Sequence, residues 1–582
     1  MGEAPFLATT ALEDFWDTTS PMLFLSPGCM RYSRKHAWSQ LQYRVMRHPF
    51  TDRDKHDAAY GYTSQFYEKA LPKVAEVMNQ IHHVNYSVRY WRIVVGIWLL
   101  HITQILYEHY VALRACLNEH PDLKTYVLAQ EDYVLLRNAL DTMDRGSEDA
   151  YNLQLYSRLL KALGKAFPER RYKNTRDSHS STSSQHFVKT LQWSLMKNFL
   201  GDRSTFMSHH FLKSQKEKWI LFWKSKGRIG FDISRENNYT EVNPDQTARA
   251  LLKTIEVEDS EFGKIFSKIM ADEMPSACIE RYEDIRKIAR QRYPFSPKVI
   301  FTMVGFQVDE VFTSWGAACA EQGTILAGSQ HGGNYGMAAI HPIEEHEKTI
   351  TDRYYSWGWT EQGNKVKPMP AMKYLGVSQS SNYKSARGVL FSLGLGFRFF
   401  FRFHDAKPYN SEDCFQDQVK FVKSLPDALR KELRIRMQPV DNGFSLQERW
   451  KDLDTGAILE DCTMTFWESL ENSRLHVTDH AGSTFADSLA VDYPTLLFWR
   501  KESYTVRPAA EPYLDLLREV GVLLDSPQEA AATVNRIYDH VDEWWNEKRR
   551  KLAVKEFTDR FAQTGPHGYD KWVKEFLTLA NT

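Results

Sequence analysis

The chain has 582 residues, in which 74 lysine and arginine residues balance 74 aspartate and glutamate residues. This balance argues against a protein that binds the phosphate backbone of nucleic acid, because that task needs an excess of basic charge. A hydrophobic content of 42% excludes wholesale disorder, and the length corresponds to roughly two to four domains.

The six cysteines are spread along the chain, and no two of them have a CxxC spacing. This pattern argues against a disulfide scaffold or a structural zinc site and predicts a reducing compartment. Met1 to Asp14 lack a basic region followed by an apolar core, so no signal peptide is expected. We therefore expect a soluble cytoplasmic protein.

The most apolar stretch, Ile93 to Leu106, is 14 residues long and contains His101 and Gln104. A membrane-spanning helix needs ~20 apolar residues, so this stretch predicts a buried core helix. Peripheral association with the inner face of the cytoplasmic membrane, through a basic surface, stays open.

The chain begins with a predicted buried strand at Met22 to Leu25, which a Ser-Pro-Gly turn follows. Apolar positions at three- and four-residue spacing predict helices from Ala58 to Leu163. The polar stretch from Arg170 to Gln185 predicts a surface loop, with ordering on an anionic ligand as the alternative.

Short apolar strands then alternate with helical stretches, which predicts parallel sheets covered on both faces. The predicted strands are Lys298 to Met303, Thr324 to Ala327, Arg353 to Trp357, Val389 to Leu393, Leu433 to Met437, Leu475 to Thr478, Thr495 to Trp499 and Val522 to Leu524. The sequence thus predicts an α/β fold with two Rossmann-like domains that face a cleft.

The domain boundaries follow from these patterns. Residues 1–384 form the first predicted domain, with a large helical insertion at about 58–200 and a linker at Lys365 to Lys384. Residues 385–526 form the second, and residues 527–582 are helices that pack back across both domains through Trp544 and Trp545. Ligands of open parallel sheets bind beyond the carboxyl ends of the strands, so the cleft is the expected site.

The segment Thr478 to Leu489 carries the first candidate ligand site. A polar turn with Asp479, His480 and Gly482 follows a strand, and Ser483 and Thr484 open a helix. Unpaired amide hydrogens, the positive end of the helix dipole and two hydroxyl groups suit a phosphate. The alternative is that Ser483 only caps its helix.

The sequence SQHGGNYG carries the second candidate site. Gly332 and Gly333 allow a close approach of the backbone to a ligand, and His331 could donate to a phosphate or act as an acid. An ordinary hydrogen-bonded histidine is the alternative. No Lys-Ser/Thr pair follows the glycines, so this is not a P-loop.

Three basic segments are further candidates for the cleft. Arg436 and Gln438 share a face of one strand and could meet an anionic ligand. Gly28 and Arg31 follow the first strand, and Arg89 opens a helix. A solvated surface is the alternative for the segments with Arg31 and Arg89.

Acidic residues supply candidates for a general base. Glu344, Glu345, Glu347 and Asp352 cluster after the HGG sequence, and a solvated acidic surface is the alternative. The two Asp-x-Asp sequences, which begin at Asp52 and Asp452, do not end apolar strands, so neither is placed to bind a metal. We expect no metal and no cofactor.

Several segments in order, LFLSPGCMRYSR, YSVRYWRIVVGIWL, QHGGNYG, DRYYSWGW and VTDHAGSTFADSLAVDYPTLLFW, resemble a family of transferases encoded in bacterial surface-polysaccharide and O-antigen (lipopolysaccharide) gene clusters. The resemblance runs from Thr10 to about Trp545. The later half also resembles two-domain GT-B glycosyltransferases, including capsule enzymes that use CMP-activated keto-sugar acids.

This resemblance implies a GT-B-like fold with a nucleotide-sugar donor in the second domain and the acceptor on the first. It implies that Ser483 and Thr484 hold the nucleotide phosphate, with His480 nearby, and that His331, Gly332 and Gly333 face the cleft. Gln438 and Pro439 stand where those enzymes often have a His-Pro turn, so a phosphate-binding histidine is missing there.

The expected activity is the metal-independent transfer of a sugar, for example from a CMP-linked keto-sugar acid, to a glycan or lipid-linked acceptor. Asp14, Glu344 and His331 are the candidates for the catalytic base. Two alternatives remain: a polyol-phosphate transferase with a CDP-linked donor, and a non-catalytic sugar-nucleotide-binding assembly protein.

Overall fold

The computed structural model describes residues 4–172, 204–212, 214–232, 242–377, 382–394, 396–404, 408–501 and 504–582. Apolar runs of three to five residues form most of the strands, and the stretches with helical periodicity between them form helices. The strands are β1 (Phe6–Ala8), β2 (Met22–Phe24), β3 (Tyr43–Val45), β4 (Val127–Leu128), β5 (Glu169–Arg170), β6 (Thr205–Ser208), β7 (Ile229–Phe231), β8 (Val299–Thr302), β9 (Ile325–Ser329), β10 (Arg353–Ser356), β11 (Val366–Pro368), β12 (Val389–Ser392), β13 (Leu433–Arg436), β14 (Ile458–Leu459), β15 (Leu475–Thr478), β16 (Thr495–Phe498) and β17 (Leu523–Leu524).

Helices fill most of the remaining described chain. They are α1 (Lys35–Trp38), α2 (Arg53–His82), α3 (Val88–Val94), α4 (Gly96–Glu119), α5 (Ala139–Arg145), α6 (Asp149–Ala162), α7 (Gln215–Lys224), α8 (Gln246–Lys253), α9 (Glu261–Glu273), α10 (Tyr282–Arg292), α11 (Gly305–Val308), α12 (Glu310–Glu321), α13 (Pro342–Ile350), α14 (Ser411–Ser424), α15 (Asp427–Lys431), α16 (Leu446–Leu453), α17 (Phe466–Glu471), α18 (Ser483–Ala490), α19 (Glu511–Glu519), α20 (Pro527–Ile537), α21 (Val541–Trp545), α22 (Lys548–Phe561) and α23 (Gly568–Leu579).

The first large sheet has six parallel strands in the order β11-β10-β9-β8-β6-β7. The chain moves outward from β6 to β7 and then crosses to β8, so the strand order reverses between β6 and β8. One face of this sheet is covered by α7 and α23. Trp572 and Phe576 of α23 pack against Phe301 and Tyr355 of the sheet.

The second large sheet also has six parallel strands, in the order β14-β13-β12-β15-β16-β17. Numbered within its own half, this order is 3-2-1-4-5-6, which is the doubly wound order of dinucleotide-binding domains. The reversal lies between β12 and β15. Ligands of such sheets bind in the crevice beyond the carboxyl ends of the strands at this reversal.

The predicted α/β fold with two Rossmann-like sheets and a helical N-terminal half is confirmed. All eight strands predicted from residue 298 onward are present, with ends shifted by at most two residues. The predicted linker at Lys365 to Lys384 is wrong in part, because its first residues form the edge strand β11, which pairs with β10. Residues 378–381 of that stretch lie outside the described residues.

The first predicted strand is present as β2, but it lies outside both large sheets. It pairs with β1 and β3 in a separate three-stranded parallel sheet, which a bridge between Phe6 and Lys124 connects to the segment after α4. The helices that follow begin at Arg53 instead of about residue 58. The predicted end of the helical insertion near residue 200, and residues 173–185 of the polar stretch, lie outside the described residues.

The apolar stretch from Ile93 to Leu106 is buried as predicted, but it spans two helices. The chain breaks at Val95 between α3 and α4. A methyl group on Gly96 would lie 2.8 Å from the Tyr67 hydroxyl and 3.0 Å from His346 Cε1, so a larger residue at the start of α4 would displace these side chains. Among the described residues, no helix combines the length and the apolar character that crossing a bilayer requires.

Candidate functional site

The candidate site lies where the carboxyl ends of the two large sheets meet. The loop after β9 contains the HGG sequence, and α18 begins after β15, next to the reversal of the second sheet. The two loops touch: a methyl group on Gly333 would lie 2.4 Å from the carbonyl oxygen of Gly482 and 3.1 Å from the amide nitrogen of Ser483. The two halves also contact through an antiparallel bridge between Ala338 and Val506.

The first turn of α18 has unpaired hydrogen-bond donors. Gly482 occupies the N-cap position and has no side chain to accept from the turn. Within the described residues, nothing accepts a hydrogen bond from the amides of Ser483 and Thr484, and the buried Thr484 Oγ1 also has no partner. An anion is therefore the chemical group that would complete this helix end.

In the turn before α18, Asp479 holds a neighbouring loop and His480 packs against Gly482. The Asp479 carboxylate accepts hydrogen bonds from the Gly394 amide at 2.6 Å and from Gln418 Nε2 at 2.6 Å. Its predicted contact with the donor is not supported, because its oxygens hold the loop after β12. The His480 ring packs where a Gly482 side chain would stand, with Nδ1 3.0 Å from Thr478 Oγ1.

The HGG loop is held in place by Gln330, which is fully buried. Its Nε2 donates to the Gly332 carbonyl at 2.8 Å, while its Oε1 accepts from the Trp357 amide at 2.9 Å and from Trp359 Nε1 at 2.8 Å. These bonds fix the loop on both sides of His331 without using the histidine itself.

His331 forms a dyad with Glu347 of α13. Its Nδ1 lies 3.3 Å from Glu347 Oε1 and 3.1 Å from the Tyr335 hydroxyl, and its side chain is 24% exposed. Tyr354 donates to Glu347 Oε2 at 2.8 Å. Burial, together with the Glu347 carboxylate, raises the pKa of Tyr335 well above its usual value, so this hydroxyl keeps its proton and can donate.

The predicted base Glu344 has a different role. It is fully buried on α13, where it accepts from the Gly336 amide at 2.8 Å and pairs with Arg507 at 2.8 Å and with Lys348 at 3.1 Å. Because both carboxylate oxygens are engaged, Glu344 ties the HGG loop to the second half of the molecule and is not placed to take a proton. Glu347, three residues later, is the carboxylate that reaches His331.

Arg402 enters this region from the second half of the chain. The loop after β12 crosses to the helical region, where the Phe403 amide donates to Gln104 Oε1 at 3.0 Å and Phe401 packs against His101. Burial lowers the pKa of the Arg402 guanidinium, while the nearby Tyr335 and Glu347 oppose that shift. No hydrogen bond or ion pair from another described residue engages this guanidinium.

Arg436 on β13 and Gln438 in the turn after it differ in their contacts. The guanidinium of Arg436 is engaged by Glu460 at 2.9 Å, by Ser469 Oγ at 3.1 Å and by the Met464 carbonyl at 3.0 Å. Its predicted donor contact is therefore not supported. Gln438 is exposed in the turn after β13.

The candidates from the first 90 residues lie away from the contact between the loops. Asp14 is exposed in a short 3-10 helix, and its carbonyl accepts from Arg170. Arg31 is exposed, and Gly28 packs against the carbonyl of Arg398. Arg89 pairs with Asp352, just before β10, which is the amino-terminal edge of the sheet and not the ligand edge.

The sequence analysis missed a second polar cluster, which follows β6 and β7. Ser208 Oγ lies 2.7 Å from His209 Nδ1 and donates to Asp232 at 2.9 Å, and Tyr293 donates to the same carboxylate at 2.7 Å. Burial, together with the charge of Asp309, raises the pKa of Asp232. His209 has a φ of 48°, a backbone conformation that costs energy in a residue with a side chain. The adjacent Ser-His-His sequence was the available signal.

Comparisons with solved structures find similar chains of low identity. The structure of the pneumococcal O-GlcNAc transferase GtfA with UDP and GlcNAc is 12% identical, with a TM-score of 0.32, and the match covers 49% of this chain and 57% of that one. Acinetobacter baumannii MurG is 9% identical with a TM-score of 0.30, and WaaG, a glycosyltransferase involved in lipopolysaccharide biosynthesis, is 9% identical with a TM-score of 0.28. Each of these two matches covers 64% of this chain and 99% of the other.

A search of the curated proteins finds no match. A family described as the LIC12162 family transferase matches residues 5–577, which is nearly the whole length. The chain therefore belongs to the LIC12162 family of transferases.

Proposed function

We propose that the chain is a glycosyltransferase that moves a sugar from a nucleotide-activated donor to a surface-glycan or lipid-linked acceptor. The observation that carries the proposal is the uncapped start of α18, which lies at the strand-order reversal of the second sheet and against the HGG loop. The transferase family and the motif resemblance support the reaction class. The donor binds in the half at 385–526, and the acceptor binds to the half before it.

The donor phosphate binds to the first turn of α18. As the bond between sugar and nucleotide breaks, negative charge develops on the leaving phosphate, and fixed donors lower the barrier when they meet that charge. The amides of Ser483 and Thr484 and the Thr484 hydroxyl supply these donors, and the Arg402 guanidinium supplies a positive charge beside Tyr335 and Glu347.

The reaction needs no metal in this proposal. The carboxylates that open the two Asp-x-Asp sequences have other tasks: Asp52 caps α2 by accepting from the Lys55 amide, and Asp452 pairs with Lys35 and accepts from Tyr32.

The His331–Glu347 dyad activates the acceptor hydroxyl. With its proton on Nδ1 facing Glu347, the imidazole accepts the proton of the attacking hydroxyl on Nε2, which lies 3.3 Å from the Tyr335 hydroxyl, and Glu347 stabilises the imidazolium that forms. Tyr354 and Tyr335 hold the carboxylate in place. Contact between the two halves excludes water, which limits hydrolysis of the donor.

Donor turnover and donor binding test the proposal together. We expect turnover with at least one compound of a panel of CMP-, UDP-, GDP- and CDP-linked donors. A Ser483→Ala/Thr484→Val variant should bind that donor more weakly in calorimetry by on the order of 10–10²-fold, because the Thr484 hydroxyl is lost and one hydrogen bond to a charged group contributes ~1.5–3 kcal/mol.

The matched control is Ser385→Ala/Thr463→Ala, which removes one serine and one threonine hydroxyl from exposed positions of the same half. It should bind the donor like the wild type. Equal donor affinity in the two double variants would contradict the proposed phosphate site at α18. Binding of donors without turnover of any of them would favour a non-catalytic protein.

A further inference from the structure

Helix α7 has a side with exposed apolar residues that no other described element covers. Leu221 and Phe222 point into the core beneath the first sheet. On the opposite side, Trp219 is 38% exposed and Trp223 is 70% exposed. The buried apolar residues show that one side of the helix packs into the core. The exposed apolar residues indicate that the other side is a binding surface.

Three exposed residues and the half-buried Ile220 form one continuous surface, which we call the tryptophan patch: Lys216, Trp219, Ile220 and Trp223. Their spacing of i, i+3, i+4 and i+7 places them on one side of the helix. The two indole rings stack with centroids 6.5 Å apart. Among the described residues, their only other ring contacts are with Phe222 of the same helix.

Basic residues surround the patch. Lys216, Lys224 and Lys226 are exposed on or next to α7, and Lys571 and Lys574 are exposed on α23, which packs beside α7. Two acidic residues lie close: Glu217 closes the capping box at the start of α7, and Asp570 pairs with Lys224 at 2.6 Å. The charge next to the patch is therefore positive.

We propose that the tryptophan patch and its lysines dock onto an anionic membrane surface. Tryptophan suits the boundary between headgroups and acyl chains because its ring is apolar and its N–H is polar, and lysines next to it pair with anionic headgroups. The two indoles expose roughly 270 Å² on a basis of ~250 Å² per ring. A stable dimer needs about 800 Å² from each partner, so the patch is too small for a second copy of the chain to cover it stably.

The tryptophan patch lies close in the chain to a residue that contacts the candidate site. Phe211, four residues before α7, is 37% exposed, and its ring lies 6.2 Å from that of His331. A membrane held by the patch would therefore lie near the acceptor side of the cleft, where a lipid-linked acceptor is presented. This consequence depends on the proposed function, whereas membrane binding itself does not.

Co-sedimentation with vesicles tests docking without any substrate. The wild-type protein should sediment with vesicles that contain phosphatidylcholine and phosphatidylglycerol, and less with phosphatidylcholine alone. Increasing NaCl should weaken the binding because it screens the lysines. A Trp219→Ser/Trp223→Ser variant should partition about tenfold or more weakly. Its melting temperature should change little, because Trp223 is 70% exposed and the described ring contacts of both indoles lie within α7.

The matched control is Leu552→Ser, which removes a side chain that is 54% exposed on α22. It should bind vesicles like the wild type. Docking is refuted if the wild type stays in the supernatant with anionic vesicles, or if the double variant sediments equally well. A wild-type dimer in light scattering that the double variant loses would show instead that a second copy covers the patch.

Discussion

Replacing Gly333 by alanine should separate the two loops of the candidate site. The added methyl group would lie 2.4 Å from the Gly482 carbonyl oxygen and 2.7 Å from its carbonyl carbon. Both atoms belong to the backbone, so no side chain can move aside to make room. The HGG loop, the first turn of α18, or both must therefore shift.

The size of the shift follows from the geometry. Ordinary van der Waals contact begins at 3.4 Å, so the methyl group needs about 1 Å more space than it has. Overpacking of this kind costs about 1–3 kcal/mol of unfolding free energy. A displacement of about 1 Å between catalytic groups can lower the rate by on the order of 10². We expect the loss in kcat to exceed what the loss in stability explains at the assay temperature.

Gly332→Ala is the control next to it. Its methyl group would have no neighbour closer than 3.4 Å, and Gly332 does not have a positive φ. The two variants are compared by kcat with a saturating donor and by thermal unfolding. If Gly333→Ala has the same kcat and melting temperature as Gly332→Ala, the contact with Gly482 is irrelevant to the site and our reasoning is wrong.

Three further predictions concern single residues. His331→Ala should lower kcat by about 10²–10⁴, with a small change in melting temperature, since the side chain is partly exposed. Glu347→Gln should lower kcat, because the amide no longer stabilises the imidazolium that forms at His331; an unchanged kcat would contradict the dyad. Burial opposes ionisation of Glu108, but His48 and His109 outweigh it and lower its pKa from 4.5 to about 2. This group therefore contributes ~3 kcal/mol of stability above pH 4.5 that is lost as the pH falls toward 2. Glu108→Gln should flatten that part of the stability curve measured by denaturant unfolding, and an unaltered curve would show that Glu108 does not cause it.

Much of the fold could be predicted from the sequence because buried parallel strands appear as short apolar runs. Val389 to Leu393 and Thr495 to Trp499 are examples, and both form strands of the second sheet. The start of α18 was predictable for a local reason: a strand, a polar turn and Ser483 follow one another directly in the chain. The transferase prediction is confirmed by the family to which the chain belongs.

The missed features depend on contacts between distant segments. Glu344 and Glu347 lie three residues apart on one helix, so the sequence alone does not indicate which of them reaches His331. That choice depends on Arg507, which comes from the other half of the chain and engages Glu344. Arg402 was missed for the same reason, because its loop leaves the second sheet to pack among helices of the first half.

The packing of α23 sets the order in which the protein can be completed during synthesis. This helix covers a face of the first sheet, and its fully buried Trp572 donates to the carbonyl of Pro370 and packs on Phe301. A nascent chain that has already produced every strand of that sheet still exposes the face until the ribosome releases α23. We therefore expect ribosome-bound chains that stop before Gly568 to recruit chaperones, and expression of the enzyme to be sensitive to chaperone supply.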